Sequence, residues 1–119
     1  MSLNTILTNI VDQIPGALGA ILVDWEGEAV EHVSHMDDFE LKLLGAHHGI
    51  ILENLRQVAQ RLDKTDVEEI VVQARRLRVL ISPVSPEYFL VLTLQRRSLI
   101  AHARSVVESY RERLRLEIC

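Results

Sequence analysis

Apolar and polar residues recur at two different spacings along this chain, and the change of spacing separates predicted helices from predicted strands. Apolar side chains return every three or four positions over residues 3–14, which predicts an amphipathic helix that Ser2 can cap. Pro15-Gly16 then ends this helix and begins a turn. The patterns of residues 17–24 and 28–34 predict two consecutive strands.

The longest stretch with helical spacing runs from Met36 to Leu62, where Asp37 and Glu40 have the spacing of a capping box. It carries two apolar stripes, although one stripe is enough for a helix that covers a single sheet. The first stripe contains Leu44, Ile51, Leu55, Val58 and Leu62. The second lies roughly 120° away around the helix and contains Phe39, Leu43, Ala46 and Ile50. Two interpretations fit: both stripes enter one broad core, or one covers this chain's own sheet and the other contacts a partner chain.

Three further strands are predicted over residues 67–74, 77–84 and 88–94. The strands at 17–24 and 88–94 are apolar on both alternating faces, which is typical of strands in the middle of a sheet. The second predicted strand is more polar, as expected of an edge strand. A final helix follows, for which Ser98 is the predicted cap.

The predicted order of elements is helix-β-β-helix-β-β-β-helix, in a chain of 119 residues with 48% hydrophobic and 25% charged residues. This length and composition indicate one globular domain that spans residues 1–119. Because the central strands are apolar on both faces, they need cover on both sides. We therefore predict an α/β (α+β) fold, a three-layer α/β/α sandwich around a five-stranded antiparallel sheet.

The charge and hydropathy of the chain exclude several classes of partner. The net charge of −4 gives no general attraction to nucleic acid or to anionic lipid. No apolar run reaches the roughly 18 residues that a membrane span requires, so no membrane insertion is expected. The N-terminus lacks the basic start and apolar block of a secretory signal. A single cysteine, Cys119, cannot form an internal disulfide, and we expect a cytoplasmic location.

The motifs of several enzyme and cofactor classes are absent. The sequence has neither a phosphate-binding loop of the G-x-x-x-x-G-K-[ST] type nor a glycine-rich dinucleotide fingerprint. His32 and His35 are predicted on opposite faces of a strand, and His47 and His48 lie about 100° apart on a helix, so neither pair is suited to chelate a metal. We predict no enzyme activity, no cofactor and no metal site.

Arg75 and Arg76 form a short basic connection between two predicted strands, and Arg78 follows closely. One interpretation is a solvated hairpin. The other is a charged contact with an acidic partner, because a guanidinium pairs well with carboxylates.

Two consecutive segments carry a resemblance to a known family. They read Ile14-Pro15-Gly16-Ala17-Leu18-Gly19-Ala20 and Val23-Asp24-Trp25-Glu26-Gly27. Together they resemble the opening signature of the Roadblock/dynein light-chain family. The chain length and the predicted order of elements also match, so the resemblance covers essentially the whole chain and implies a Roadblock/profilin-like fold.

The resemblance implies non-enzymatic proteins that dimerise and bind small Ras-like GTPases, as activators or scaffolds, or that serve as light chains in motor complexes. Bacterial regulators of gliding-motility GTPases are the members it resembles most. In this family the third strands of two subunits pair, with the second helices side by side. The homodimer interface expected here contains Val67, Ile70, Val71, Val72, Ala46 and Ile50. The expected partner-binding residues are Phe39, Leu43, His47, Arg75 and Arg76. The alternative is a structural light-chain-like subunit with no GTPase partner.

Overall fold

The computed structural model describes residues 2–24, 26–35, 37, 53–54, 57, 68–75 and 77–118. Its elements in chain order are helix α1 (Leu3–Gln13), strands β1 (Ala17–Asp24), β2 (Ala29–Ser34), β3 (Ile70–Gln73), β4 (Leu77–Pro83) and β5 (Tyr88–Gln95), and helix α2 (Ile100–Ile118). Within the predicted central helix, Glu53, Asn54 and Gln57 are helical. Apart from Asp37, the rest of that stretch lies outside the described residues, so its two-stripe pattern stays a prediction.

The five strands form one antiparallel sheet in the order β2-β1-β5-β4-β3. β1 and β5 lie side by side within it, with Ala20 opposite Leu92 and Leu22 opposite Leu90. Their predicted central position and the predicted edge position of β2 are confirmed. The predicted fold class, an α/β sandwich on a five-stranded antiparallel sheet, is confirmed for the elements that the structure describes.

β3 is shorter than the strand predicted over 67–74, because its pairing with β4 ends at Ile70 opposite Ile81. Continued in the same register, Glu68 would face Pro83 of β4. Proline has no backbone N–H and cannot donate the next hydrogen bond to β3. A residue on the neighbouring strand therefore limits the length of β3.

Both faces of the sheet are buried. The first face packs against α1 and α2, and its buried sheet residues are Ala20, Leu22, Leu80, Leu90, Leu92 and Leu94. The second face forms a separate cluster of Ile21, Val23, Val79, Ile81, Phe89 and Val91. The alternation along β1 and β5 therefore divides their side chains between two cores, as the sequence pattern predicts.

The two helices begin in different ways. Ser2 Oγ accepts a hydrogen bond from the Thr5 N–H at 3.2 Å, which confirms the predicted cap of α1. The predicted cap of α2 is wrong, because Leu99 stands at the capping position and its carbonyl accepts from the Ala103 N–H at 3.0 Å. Ser98 lies one residue farther out and donates its hydroxyl to the Pro15 carbonyl at 2.9 Å.

Candidate functional site at the sheet edge

β3 forms one edge of the sheet, and among the described strands it borders β4 alone. Ile70 and Val72 pack against the core of the second face, and Val71 packs against the core of the first face. All three side chains are half-buried. β3 therefore has the sequence of a central strand but occupies an edge position.

The outer side of β3 presents backbone hydrogen-bonding groups. The Ala74 N–H donates to the Leu77 carbonyl at 2.9 Å, which directs the backbone of Ala74 towards β4. Because hydrogen-bonded positions alternate along an antiparallel pair, Ile70 and Val72 also direct their backbone groups towards β4. Val71 and Gln73 consequently direct their N–H and carbonyl groups outward, where another strand can pair with them.

The two edges of the sheet differ in how they oppose unwanted pairing. On β2 the register with β1 shifts between Leu22 and Val23, and the strand carries Glu31 and His32. A bulge and charged side chains are the usual devices that protect an edge strand. β3 has the sequence IVVQ, with no charged residue, no proline and an unbroken register with β4. It is therefore the edge suited to pairing.

Two arginines hold β3 at its ends. Before the strand, Arg104 of α2 donates from Nε to Glu69 Oε1 at 2.8 Å and from Nη2 to Glu69 Oε2 at 2.7 Å. Hydrogen bonding and Coulomb attraction from Glu69 raise the pKa of Arg104 above its ordinary value. After the strand, Arg96 Nη1 donates to the Ala74 carbonyl at 2.7 Å. These contacts involve side chains and residues that flank the strand. They therefore leave the outward N–H and carbonyl groups of β3 available for pairing.

Comparison with known proteins decides the family. The family model of the Roadblock/LC7 domain matches residues 3–94, from the start of α1 to the penultimate residue of β5. The chain belongs to the Roadblock/LC7 family. This confirms the resemblance that its Pro15-Gly16 turn and the flanking segments suggest. No curated protein sequence matches this Roadblock domain.

Solved structures extend the similarity across α2. A Roadblock/LC7 domain from Streptomyces avermitilis has 19% identity and a TM-score of 0.80, covering 96% of this chain and 98% of the other. The gliding protein MglB from Thermus thermophilus has 17% identity and a TM-score of 0.83, covering 95% and 85%. MglC from Myxococcus xanthus has 25% identity and a TM-score of 0.72, covering 98% and 99%. This Roadblock domain shares its fold with all three.

The structure brings together a subset of the predicted site residues. Ile70, Val71 and Val72 lie side by side on β3 of the Roadblock domain. Arg75 is exposed in the connection that follows β3. The remaining predicted residues lie outside the described part of the chain: Val67, Ala46, Ile50, Phe39, Leu43, His47 and Arg76.

The sequence pattern does not reveal the contacts that hold β3. Glu69 and Arg104 are 35 positions apart, and Ala74 and Arg96 are 22 apart. Periodicity reports contacts within one element and carries no signal for a pair so distant. The sequence gives one indication, which is that α2 is rich in arginine. A solvent-exposed helix surface would explain this composition equally well.

The described residues form neither a metal cluster nor a membrane-spanning helix. In the described ranges, no three His, Cys, Asp or Glu side chains lie close enough to hold a metal ion. Neither α1 nor α2 is long and apolar enough to cross a membrane.

Proposed function

We propose that this Roadblock domain forms a homodimer through β3 and, as a dimer, binds a small Ras-like GTPase as a regulator or scaffold. The observation that carries the dimer is β3 itself, an apolar edge strand whose Val71 and Gln73 backbone groups point outward. Pairing with a second β3 would satisfy those groups and turn an edge strand into a central one.

Symmetry restricts how two copies of β3 can pair. Residues that face each other across an antiparallel pair have their side chains on the same side of the sheet. A two-fold axis perpendicular to the sheet keeps each face continuous with the same face of the partner. Under that axis a residue must face its own copy, so the centre of the pair is Val71 or Val72.

Strand pairing alone is too small for a stable dimer. A standard interface buries about 1,600 Å² in total, and β3 has only four residues. We therefore include Val67 in the same segment, with Ala46 and Ile50 of the predicted central helix, in the proposed interface. A solved structure of MglB with the same fold has a tetrameric arrangement, which supports self-association in a protein of this fold.

The GTPase part of the proposal is supported by membership of the Roadblock/LC7 family and by similarity to gliding proteins. The residues proposed for this contact are Phe39, Leu43, His47, Arg75 and Arg76. Arg75 is exposed directly after β3, so a partner protein that binds next to the paired β3 strands could contact it. No residue is assigned as an arginine finger, so the activator role is secondary to binding.

The test combines mass and binding. Light scattering should give twice the 13.6 kDa mass of one chain. The immobilised dimer should then retain a Ras-like GTPase from the same genome, loaded with GDP or with a non-hydrolysable GTP analogue, and phosphate release should be followed for activation. A dimer that retains no such GTPase in either state supports the alternative of a light-chain-like structural subunit. A mass of one chain at micromolar concentration would reject the dimer.

A further inference from the structure

A groove of about 530 Å³ lies at the end of the sheet where β1 begins and β5 ends, away from the outer edge of β3. It is bounded by the end of α1 and the start of α2. Its walls include Pro15, Gly16, Arg97, Ser98, Leu99 and His102. The proposed dimer, which uses β3, does not account for this concavity.

The floor of the groove is rigid. Gly16 has φ of 85°, and its carbonyl accepts from the Gln95 N–H at 2.8 Å. Ser98 donates its hydroxyl to the Pro15 carbonyl at 2.9 Å. A Cβ on Gly16 would lie 2.2 Å from Ser98 Oγ, so no side chain fits there. The binding surface is therefore preformed, so ordering it would cost little of the free energy of ligand binding.

Leu99, at the rim of this groove, is an unusual residue for its position in two respects. It occupies the capping position of α2, where leucine is among the least favourable residues and serine, threonine, asparagine or aspartate are preferred. Its side chain is also 72% exposed. A residue that weakens a cap and exposes an apolar surface is expected at a functional position.

The groove is cationic as well as apolar. His102 contacts the Gln13 carbonyl through Nε2 at 3.0 Å. Arg78 Nη1 donates to the Ser98 carbonyl at 3.1 Å. In the described part of the chain Arg97 uses Nε alone for a hydrogen bond, to Gln95 Oε1 at 3.3 Å. Both terminal nitrogens of Arg97 therefore remain for a ligand, and the N-terminus of α2 adds partial positive charge.

The opposite end of the sheet is acidic. The turns at that end carry Asp24, Glu26, Glu28 and Glu87. Near the groove the described carboxylates are Asp12, in the last turn of α1, and Asp37, after β2. Among the described residues, the groove end therefore carries more cations than carboxylates, although the whole chain has a net charge of −4. Charge complementarity selects an anionic ligand for this end.

We propose that this groove docks an extended peptide of a partner protein, in which a leucine-like or aromatic side chain is flanked by aspartate or glutamate. The apolar side chain would contact Leu99 and Pro15, and the flanking carboxylates would pair with the terminal nitrogens of Arg97. A guanidinium binds carboxylates with defined geometry, which favours a peptide over a purely apolar ligand. This surface is separate from the β3 edge, so the dimer would carry two such grooves.

The test is a titration of the ¹⁵N-labelled full chain, followed by amide chemical shifts. The probes are the blocked peptides Gly-Glu-Leu-Asp-Glu-Gly, its neutral analogue Gly-Gln-Leu-Asn-Gln-Gly, its alanine analogue Gly-Glu-Ala-Asp-Glu-Gly, and inorganic phosphate. We expect saturable shifts at the amides of Gly16, Ser98 and Leu99 with the first peptide. Binding should be at least about tenfold weaker for both analogues.

Two substitutions and one control make the test specific. Leu99→Ser and Arg97→Gln should each remove the saturable shifts, while Leu99→Ser should not lower the melting temperature, because serine is a better cap. Leu116→Ser removes a similarly exposed leucine (67%) from the same helix and should leave binding unchanged. Unchanged binding by Leu99→Ser, equal binding of the neutral peptide, or the same shifts with phosphate alone would overturn the proposal. None of these outcomes bears on the dimer, whose mass is measured separately.

Discussion

Arg104 of α2 holds the carboxylate of Glu69 by two parallel hydrogen bonds, 2.8 and 2.7 Å long, immediately before the edge strand β3. At the other end of β3, Arg96 holds the Ala74 carbonyl. Both contacts are made by residues that flank β3, so neither uses the backbone groups of Ile70–Gln73. These two contacts leave the outer edge of β3 available, as the proposed dimer requires.

Disulfide trapping should locate the centre of the dimer. In a Cys119→Ser background, Val71→Cys or Val72→Cys should crosslink two chains. The Cα atom of a residue at the two-fold axis lies about 4.5–5.5 Å from the Cα atom of its own copy, which is within the range that a disulfide spans. Non-reducing electrophoresis after mild oxidation would identify which residue is central. Val30→Cys on β2 is the control, since Val30 is 45% exposed and would be favoured by random collision. Crosslinking of Val30→Cys alone would contradict the β3 interface.

A lysine on β3 should prevent assembly. Val72→Lys places a charge on a half-buried edge position, and lysine on an edge strand is a natural device against pairing. We expect the light-scattering mass to fall towards 13.6 kDa, with a lower melting temperature. Val30→Lys, on the already protected β2 edge, should keep the mass of the parent. An unaltered mass and melting temperature in Val72→Lys would count against the proposed interface.

Glu69→Gln should loosen β3 locally. The substitution removes the charge that Arg104 pairs with, so the segment before the strand loses its attachment to α2. Amide hydrogen exchange of Val72, whose N–H is directed towards β4, should accelerate, while that of Leu92 in the central strand β5 should not. The effect should shrink in high salt, which already screens an exposed ion pair. Equal acceleration at both amides would indicate global destabilisation instead.

Gly16→Ala should destabilise the chain by about 2–3 kcal/mol, from left-handed backbone strain and from disruption of the Ser98 hydrogen bond. Urea unfolding would measure this. Ser98→Ala removes the atom that the new methyl group would approach at 2.2 Å. The double variant should therefore lose less stability than the sum of the two single variants. If the stability losses of the two single variants simply add in the double variant, the close approach of the new methyl group to Ser98 contributes nothing to the loss.

Leu99→Ser should stabilise α2. Serine at the capping position can accept a hydrogen bond from an N–H of the first helical turn, which leucine cannot, and the expected gain is about 0.5–1 kcal/mol in urea unfolding. The exposed side chain of Leu99 loses few contacts when it is shortened. A decrease in stability would mean that Leu99 packs against the fold and is not held for a ligand.

The local pattern of residues by itself determined most of the fold. Ala20 and Leu22 alternate with Ile21 and Val23 along β1, and this alternation alone placed the strand between two apolar layers. The helix start at Ser2 was equally local, because a cap depends on residues within one turn. The Pro15-Gly16 turn and its flanking segments also pointed to the family.

Only the tertiary structure decided the features that depend on distant pairs. β3 begins no earlier than Ile70 because Pro83 on the neighbouring strand has no N–H to donate. Ser98 does not cap α2, because its hydroxyl bonds to the Pro15 carbonyl, 83 positions away in the sequence. The edge position of β3 follows from the strand order, which its apolar sequence cannot reveal. Periodicity describes neighbours in the chain, whereas these features arise from groups that meet only when the sheet and helices pack together.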